Sequence, residues 1–229
     1  MTSVPKFVIV NADDLGASRG INEGIVEAVD AGIVTSASLM VNMPAARHAV
    51  EKMAPHPEIS IGIHVNFTNE SPPTIVDFDD PGACGREVVR QLEEFVSLVG
   101  DTPTHIDTHH NIHRDGRLKP MFVDAARHLG IPLRENGPVE YFSSFYGRWD
   151  EETHPEHISV DNLLTMIDGF GPGPTELSCH PGRPELEFES SYHIERFLEL
   201  ETLLSPGLGE ALTRMGVVLT SYHQAAAWR

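Results

Sequence analysis

Residues 8–16 read VIVNADDLG, an apolar run that gives way to Asn11, Asp13 and Asp14. Two adjacent carboxylates at the mouth of a buried strand repel each other and are hard to solvate together. They are tolerable where one caps a helix, where a divalent cation offsets them, or where one of them moves a proton. Three further stretches carry residues of the same chemical kind. IGIHVN holds His64, HIDTHHNIH spans 105–113, and SCHPG sets His180 after Cys179. A carboxylate with two imidazoles suits Zn2+, Fe2+, Mn2+, Co2+ or Ni2+, and Mg2+ less naturally. Three protein ligands leave positions open for water, which marks a catalytic site rather than a closed structural one. One aspartate can then bind the cation while its neighbour holds or deprotonates water. Each piece alone has a plainer reading: a helix cap at Asp13 or Asp14, a hydrogen-bonded half-buried His64, surface composition at 105–113, and a turn at HPG.

The elements that must position these groups follow from the periodicity. Strands are predicted at 6–10, 34–41, 59–65, 104–107, 131–134, 175–179 and 217–220, with helices at 18–32, 45–53, 86–99, 119–129, 160–169, 194–203 and 208–215. Such alternation implies parallel strands joined by right-handed crossovers, and about seven of them suit a small or incomplete (β/α) barrel. On that map the Asp13–Asp14 pair and His180 follow strands, His64 ends one, and the histidine-rich run straddles the end of another. They therefore share the C-terminal edge of the sheet, where βα loops converge and active sites form. Shared placement weighs more than any single motif. A thiol nucleophile at Cys179 activated by His180 fails on geometry, because adjacent strand residues face opposite ways. The His-x-Asp of iron oxygenases belongs to all-β frames, and the His-x-His of amidohydrolase barrels is replaced here by NADD after the first strand.

Composition narrows the partners. With 34 acidic against 16 basic residues the 229-residue chain has a formal charge of −18, a field that repels nucleic acid and anionic membranes. No window approaches the roughly 18 apolar residues of a membrane span. The opening MTSVPKFVIVNADD lacks a signal-peptide core, and Cys84 and Cys179 make no disulfide framework. A soluble cytoplasmic protein is expected. Histidine is abundant, at 13 residues, which matters only where the rings converge.

The stretches VNADDLGASRGINEGIVEAVDAGIVTSASLMVN, IGIHVN, FVSLVGDTPTHIDTHHNIH, LSCHPG and YHIERFLELETL resemble, in order and over nearly the whole chain, the YdjC family of carbohydrate deacetylases. The resemblance implies an irregular TIM-barrel-like α/β fold in a single domain, 1–229. It implies one divalent ion, Mg2+ or Zn2+ ahead of Mn2+, Co2+ or Ni2+. The implied activity is removal of N-acetyl groups from amino sugars or small N-acetylated oligosaccharides, in a homodimer. The family's metal ligands fall on Asp14, His64 and His109. Its base falls on Asp13, by similarity to NodB-type deacetylases with their paired aspartates, and His180 is placed as general acid. Relatives often read HHHVH where this chain has Asn111 in the third place, a departure that leaves the ligands intact.

Two other functions use the same residues. A metal-dependent phosphoester hydrolase would take Arg134 as its anion clamp. A metal- or sugar-binding protein without turnover would have no use for an acid at HPG. The stretch 140–152 packs Tyr141, Phe142, Phe145, Tyr146 and Trp149 into nine residues. It is either core or dimer-interface padding, or a wall on which a sugar stacks, with Trp149 and Tyr146 as substrate-binding residues beside Arg134.

Overall fold

The computed structural model describes residues 5–68, 74–184 and 190–224. β1 (Lys6–Leu15) runs on past the expected end at residue 10, and everything from Val8 to Leu15 is buried. α1 (Arg19–Asp30) is capped by Ser18, whose hydroxyl accepts the Ile21 N–H, so neither Asp13 nor Asp14 serves as its cap. Gly32, at φ +74°, supplies the left-handed residue after its end. β2 (Ser36–Leu39), α2 (Ala46–Met53) and β3 (Ser60–Val65) follow. α3 (Pro81–Val99) begins at Pro81 rather than 86, because Asp80 caps it through the Ala83 N–H and proline fits the first turn. Next come β4 (Ile106–Thr108), a 3-10 turn over His109–Arg114, and α4 (Lys119–Leu129). β5 (Glu140–Phe142) and the short hairpin β6 (Arg148–Trp149) with β7 (Glu152–Thr153) lead to α5 (Val160–Asp168). The chain closes with β8 (Gly173–Cys179), α6 (His193–Leu203), α7 (Leu208–Arg214) and β9 (Val217–Leu219).

The main sheet has the order β4-β3-β2-β1-β8-β5. β1 pairs with β8 from Lys6 to Ala12, while its other edge is shared by β9 at Lys6–Val8 and β2 from Asn11 onward. Every pairing in this sheet is parallel. The result is an α/β fold whose sheet curls into an incomplete barrel, with β4 and β5 at its edges.

One expected strand is corrected. Residues 131–134 give only a bridge from Leu133 to Ile106, after which Leu133 bridges Asn136 as the chain turns. Pro132 has no N–H to offer a ladder. The strand that flanks β8 is instead β5, inside the aromatic stretch.

α1 packs its Ile21, Ile25, Ala28 and Val29 face into the core. It also clamps the HPG loop, since a Cβ at Gly24 would lie 2.6 Å from the Gly182 Cα. No helix among the described residues is long and apolar enough to cross a membrane.

Candidate active site

Parallel pairing carries the four polar motifs to one edge, and a local irregularity aims the aspartates. Adjacent side chains on a regular strand would point to opposite faces. Asp14, however, has φ +66°, and the β1–β2 register shifts between Ala12 and Leu15. Aspartate is among the few residues that adopt this conformation readily. The break in alternation lets both carboxylates line the same cleft.

Asp14 Oδ1 lies 3.2 Å from His64 Nε2 and 3.0 Å from His109 Nδ1. These ligand atoms all fall within 4.8 Å of one another. His64 and Asp107 are register partners on β3 and β4, and Asp107 Oδ1 sits 2.7 Å from His64 Nδ1. That contact fixes the ring and turns Nε2 toward Asp14, the usual outer support of a metal-binding histidine. One carboxylate and two oriented imidazoles fit a divalent transition-metal or zinc ion with open positions. Burial works against a charge on His64, yet Asp107, Asp14 and Asp13 around it push its pKa up to about 10. The cluster therefore attracts positive charge where the three donors converge. A second group, Asp13, His64 and Asp107, is equally close, but its two carboxylates already share the Arg134 guanidinium.

Asp13 accepts from Arg134 Nη1 and Nη2 at 2.8 and 2.7 Å and from Asn11 Nδ2 at 2.8 Å. Burial raises its carboxyl, but Arg134 outweighs that and holds it below the ordinary range. Arg134 also donates to Glu176 and lies 2.7 Å from Asp107, so all three guanidinium nitrogens are engaged beneath the cleft. It is placed to tune Asp13 rather than to meet a ligand, and the anion clamp of the phosphoester reading finds no support in it.

His180 comes from the loop after β8, with Nε2 3.9 Å from Asp13 Oδ2. Burial would lower its pKa, but Glu199, Asp13 and Asp14 raise it. The neighbouring Cys179 is fully buried and its thiol is pushed well up by burial, as suits a packing residue. Sequence reasoning missed two groups here, both on α6. Arg196 Nη2 donates to Asp14 Oδ2 at 2.6 Å, and Glu199 accepts the His180 backbone N–H at 2.5 Å. Glu195, Arg196 and Glu199 are all buried while Ile194 is half exposed, so this helix turns its charged face inward. The interleaving of charge and apolar residues in YHIERFLELETL was the available signal.

The cleft has a volume of about 380 Å3. Of the four histidines at 105–113 only His109 joins the ligand cluster. His110 lines the cleft and bonds Thr68 at 2.8 Å, His113 bonds Thr108 and Glu135, and His105 is buried against Tyr222 with ring centroids 3.9 Å apart. His110 and Asn111 both have positive φ, +55° and +52°, a strained turn that presents Asn111 to the cleft.

The aromatic stretch divides. Tyr141 and Tyr146 line the cleft, Phe145 is core, and Phe142 packs on Phe170. Trp149 does not line it. Its ring stacks on His154 at 3.6 Å, with His157 edge-on. Of the three expected substrate contacts, the structure brings Tyr146 to the cleft and leaves Arg134 and Trp149 outside it.

A family profile described as YdjC-like protein matches residues 7–214. A carbohydrate deacetylase of Geobacillus stearothermophilus is 36% identical over 253 aligned positions, covering 96% of this chain and 98% of that protein. A structure described as a proposed cellobiose-phosphate cleavage protein of Enterococcus faecalis V583 superposes with a TM-score of 0.82 at 26% identity, covering 96% and 99% of the two chains. A family 4 carbohydrate esterase from Streptomyces lividans, in complex with acetate, superposes at 0.59 with 14% identity over 94% and 91%, a likeness of fold.

Proposed function

The chain belongs to the YdjC-like protein family, and from that premise we propose that it is a metal-dependent carbohydrate deacetylase acting on an N-acetylated amino sugar or small oligosaccharide. The observation that carries this reading is the pairing of two chemistries in one cleft. Asp14, His64 and His109 offer donors within 4.8 Å of one another, and beside them Asp13 and His180 face each other at 3.9 Å.

A divalent ion held by Asp14, His64 and His109 would supply Lewis acidity for the acetamide carbonyl and for the attacking water. The remaining work falls to the chain's own groups. Asp13, kept ionised by Arg134, accepts the proton of the water. His180, whose proton affinity is raised by its carboxylate neighbours, gives a proton to the leaving nitrogen, since an amine leaves poorly unless protonated. Tyr146, half exposed on the cleft wall, offers an aromatic face to the apolar face of a sugar ring. Mg2+ or Zn2+ is the proposed ion, ahead of Mn2+, Co2+ or Ni2+, in a cytoplasmic homodimer.

The test joins elemental analysis of protein purified without added metal to an acetate-release screen over N-acetylated sugars. We expect acetate release that chelation abolishes and one divalent ion restores. Metal-loaded protein that releases no acetate from any of these sugars would overturn the reading, and size-exclusion chromatography with light scattering tests the dimer.

A further inference from the structure

His180 stands between two carboxylates. Its Nε2 faces Asp13, and its Nδ1 lies 3.7 Å from Glu199 Oε1. Glu199 is fully buried, and its Oε2 also accepts the His180 backbone N–H. One side chain thus pins the residue at its backbone and faces its ring at the nitrogen turned away from Asp13. Tyr192 donates its hydroxyl hydrogen to Glu199 Oε1 and accepts the Gly147 N–H at 2.9 Å. Gly147 belongs to the stretch that carries Tyr146. The Tyr146 and Tyr192 rings stack with centroids 4.4 Å apart, and both present edges to His180. A carboxylate buried this deeply costs free energy unless its hydrogen bonds are made. An apolar side chain would fill the same space without that cost, so the charge at residue 199 needs a reason.

Resting on the deacetylase reading, we propose that Glu199 is the positioning residue for His180. It orients the imidazole for proton donation to the leaving nitrogen, and Tyr192 ties it to the wall of the cleft. Tyr192 competes with the His180 ring for the same carboxylate oxygen. The other charged or titratable groups facing His180 are Asp13 and Asp14 from β1, Arg196 from α6, His110 from the turn after β4, and Tyr146.

Two substitutions give opposite expectations. Glu199→Gln keeps the shape and withdraws the charge, so the proton on His180 is held less tightly. Tyr192→Phe leaves the charge and withdraws a competing hydrogen bond, so the proton is held more tightly. The readouts are the basic limb of the kcat/KM pH profile and the His180 ring titration followed by NMR, both on metal-loaded protein.

We expect a move to lower pH by about 1 pH unit in Glu199→Gln and a move to higher pH in Tyr192→Phe. For Glu199→Gln, kcat should fall about 10-fold or more with KM within about twofold and metal content unchanged. A merely structural role would shift neither limb, or both the same way, and either result overturns the proposal. Should Glu199→Gln fail to fold, the Tyr192→Phe titration decides alone: an upward shift supports the proposal and no shift overturns it. Wild-type protein that releases no acetate overturns the deacetylase reading, while the NMR titration still reports whether Glu199 and His180 are coupled.

Discussion

Replacing Arg134 by methionine tests whether one buried guanidinium holds the barrel interior together. Its nitrogens meet Glu176 at 2.9 and 2.5 Å, Asp13 at 2.8 and 2.7 Å, and Asp107 at 2.7 Å. All four residues are buried. Methionine preserves the apolar stem but takes the guanidinium away from all three carboxylates, leaving His64 as the cationic neighbour of Asp107. Removing one partner of a buried ion pair costs about 3–5 kcal/mol, against about 5–15 kcal/mol for a whole native domain. In a chain of this size each kcal/mol moves Tm by about 2–4 °C, so Arg134→Met should melt about 6–20 °C lower.

The pH dependence gives the sharper test. In the wild type, burial pushes Asp13 and Asp107 up but Arg134 holds both below the ordinary carboxylate value. Their contribution is present above the unfolded value of about 4 and is lost only as pH falls through the lower folded values. Without the guanidinium, burial raises the same carboxyls, and the folded variant takes up protons that the unfolded chain does not. The stability gap to wild type should therefore narrow as pH is lowered from about 8 toward about 5. Urea unfolding of both proteins across that interval measures it. A variant within about 1 kcal/mol of wild type at the upper pH, or a gap constant with pH, refutes the reasoning.

Three further outcomes are expected. Asp14→Asn and His109→Ala should lose metal by elemental analysis, whereas His180→Ala should keep it and lower kcat by about 10²–10⁴-fold; metal loss in the last would make His180 a ligand. Tyr146→Ala should raise KM more than it lowers kcat, while Trp149→Ala leaves KM within about twofold, and the reverse ranking would return the platform to Trp149. Gly24→Ala drives a Cβ to 2.6 Å from the Gly182 Cα, so it should cost about 1–3 kcal/mol by thermal melting and lower kcat through the displaced HPG loop without loss of metal; an unchanged Tm would show that the loop yields freely.

The convergence of Asp14, His64 and His109, the candidate metal ligands, could be read from sequence for a topological reason. Asp14 and His64 lie near the C-terminal ends of β1 and β3 and His109 directly follows β4, and parallel pairing brings all such strand ends to one edge whatever the loops do. That inference needs strand direction alone. The fifth strand failed because it needs more. Ile131–Arg134 has strand composition, but membership in a sheet is settled by a partner's free edge, and β5 takes the edge of β8 while Leu133 keeps a single bridge. Aromatic residues at 140–142 suit a strand as well as a cleft wall, and nothing local chooses between them.

The groups that tune the site were hidden for a different reason. Arg134 meets Asp13 and Glu176, Arg196 meets Asp14, and Glu199 meets His180, all across sequence separations that no local pattern reports. A partial signal existed in Glu176. A strand of a parallel sheet covered on both faces should read as continuously apolar, and a glutamate within TELSC breaks that pattern. Such a residue must find a cation or keep a proton. Here it does some of each, since burial raises its carboxyl while Arg134 and the Tyr222 hydroxyl bind it. A charged residue inside an otherwise apolar parallel strand therefore points to a second buried charge elsewhere in the chain, and Arg134, read from sequence as a ligand-binding residue, was the one to pair with it.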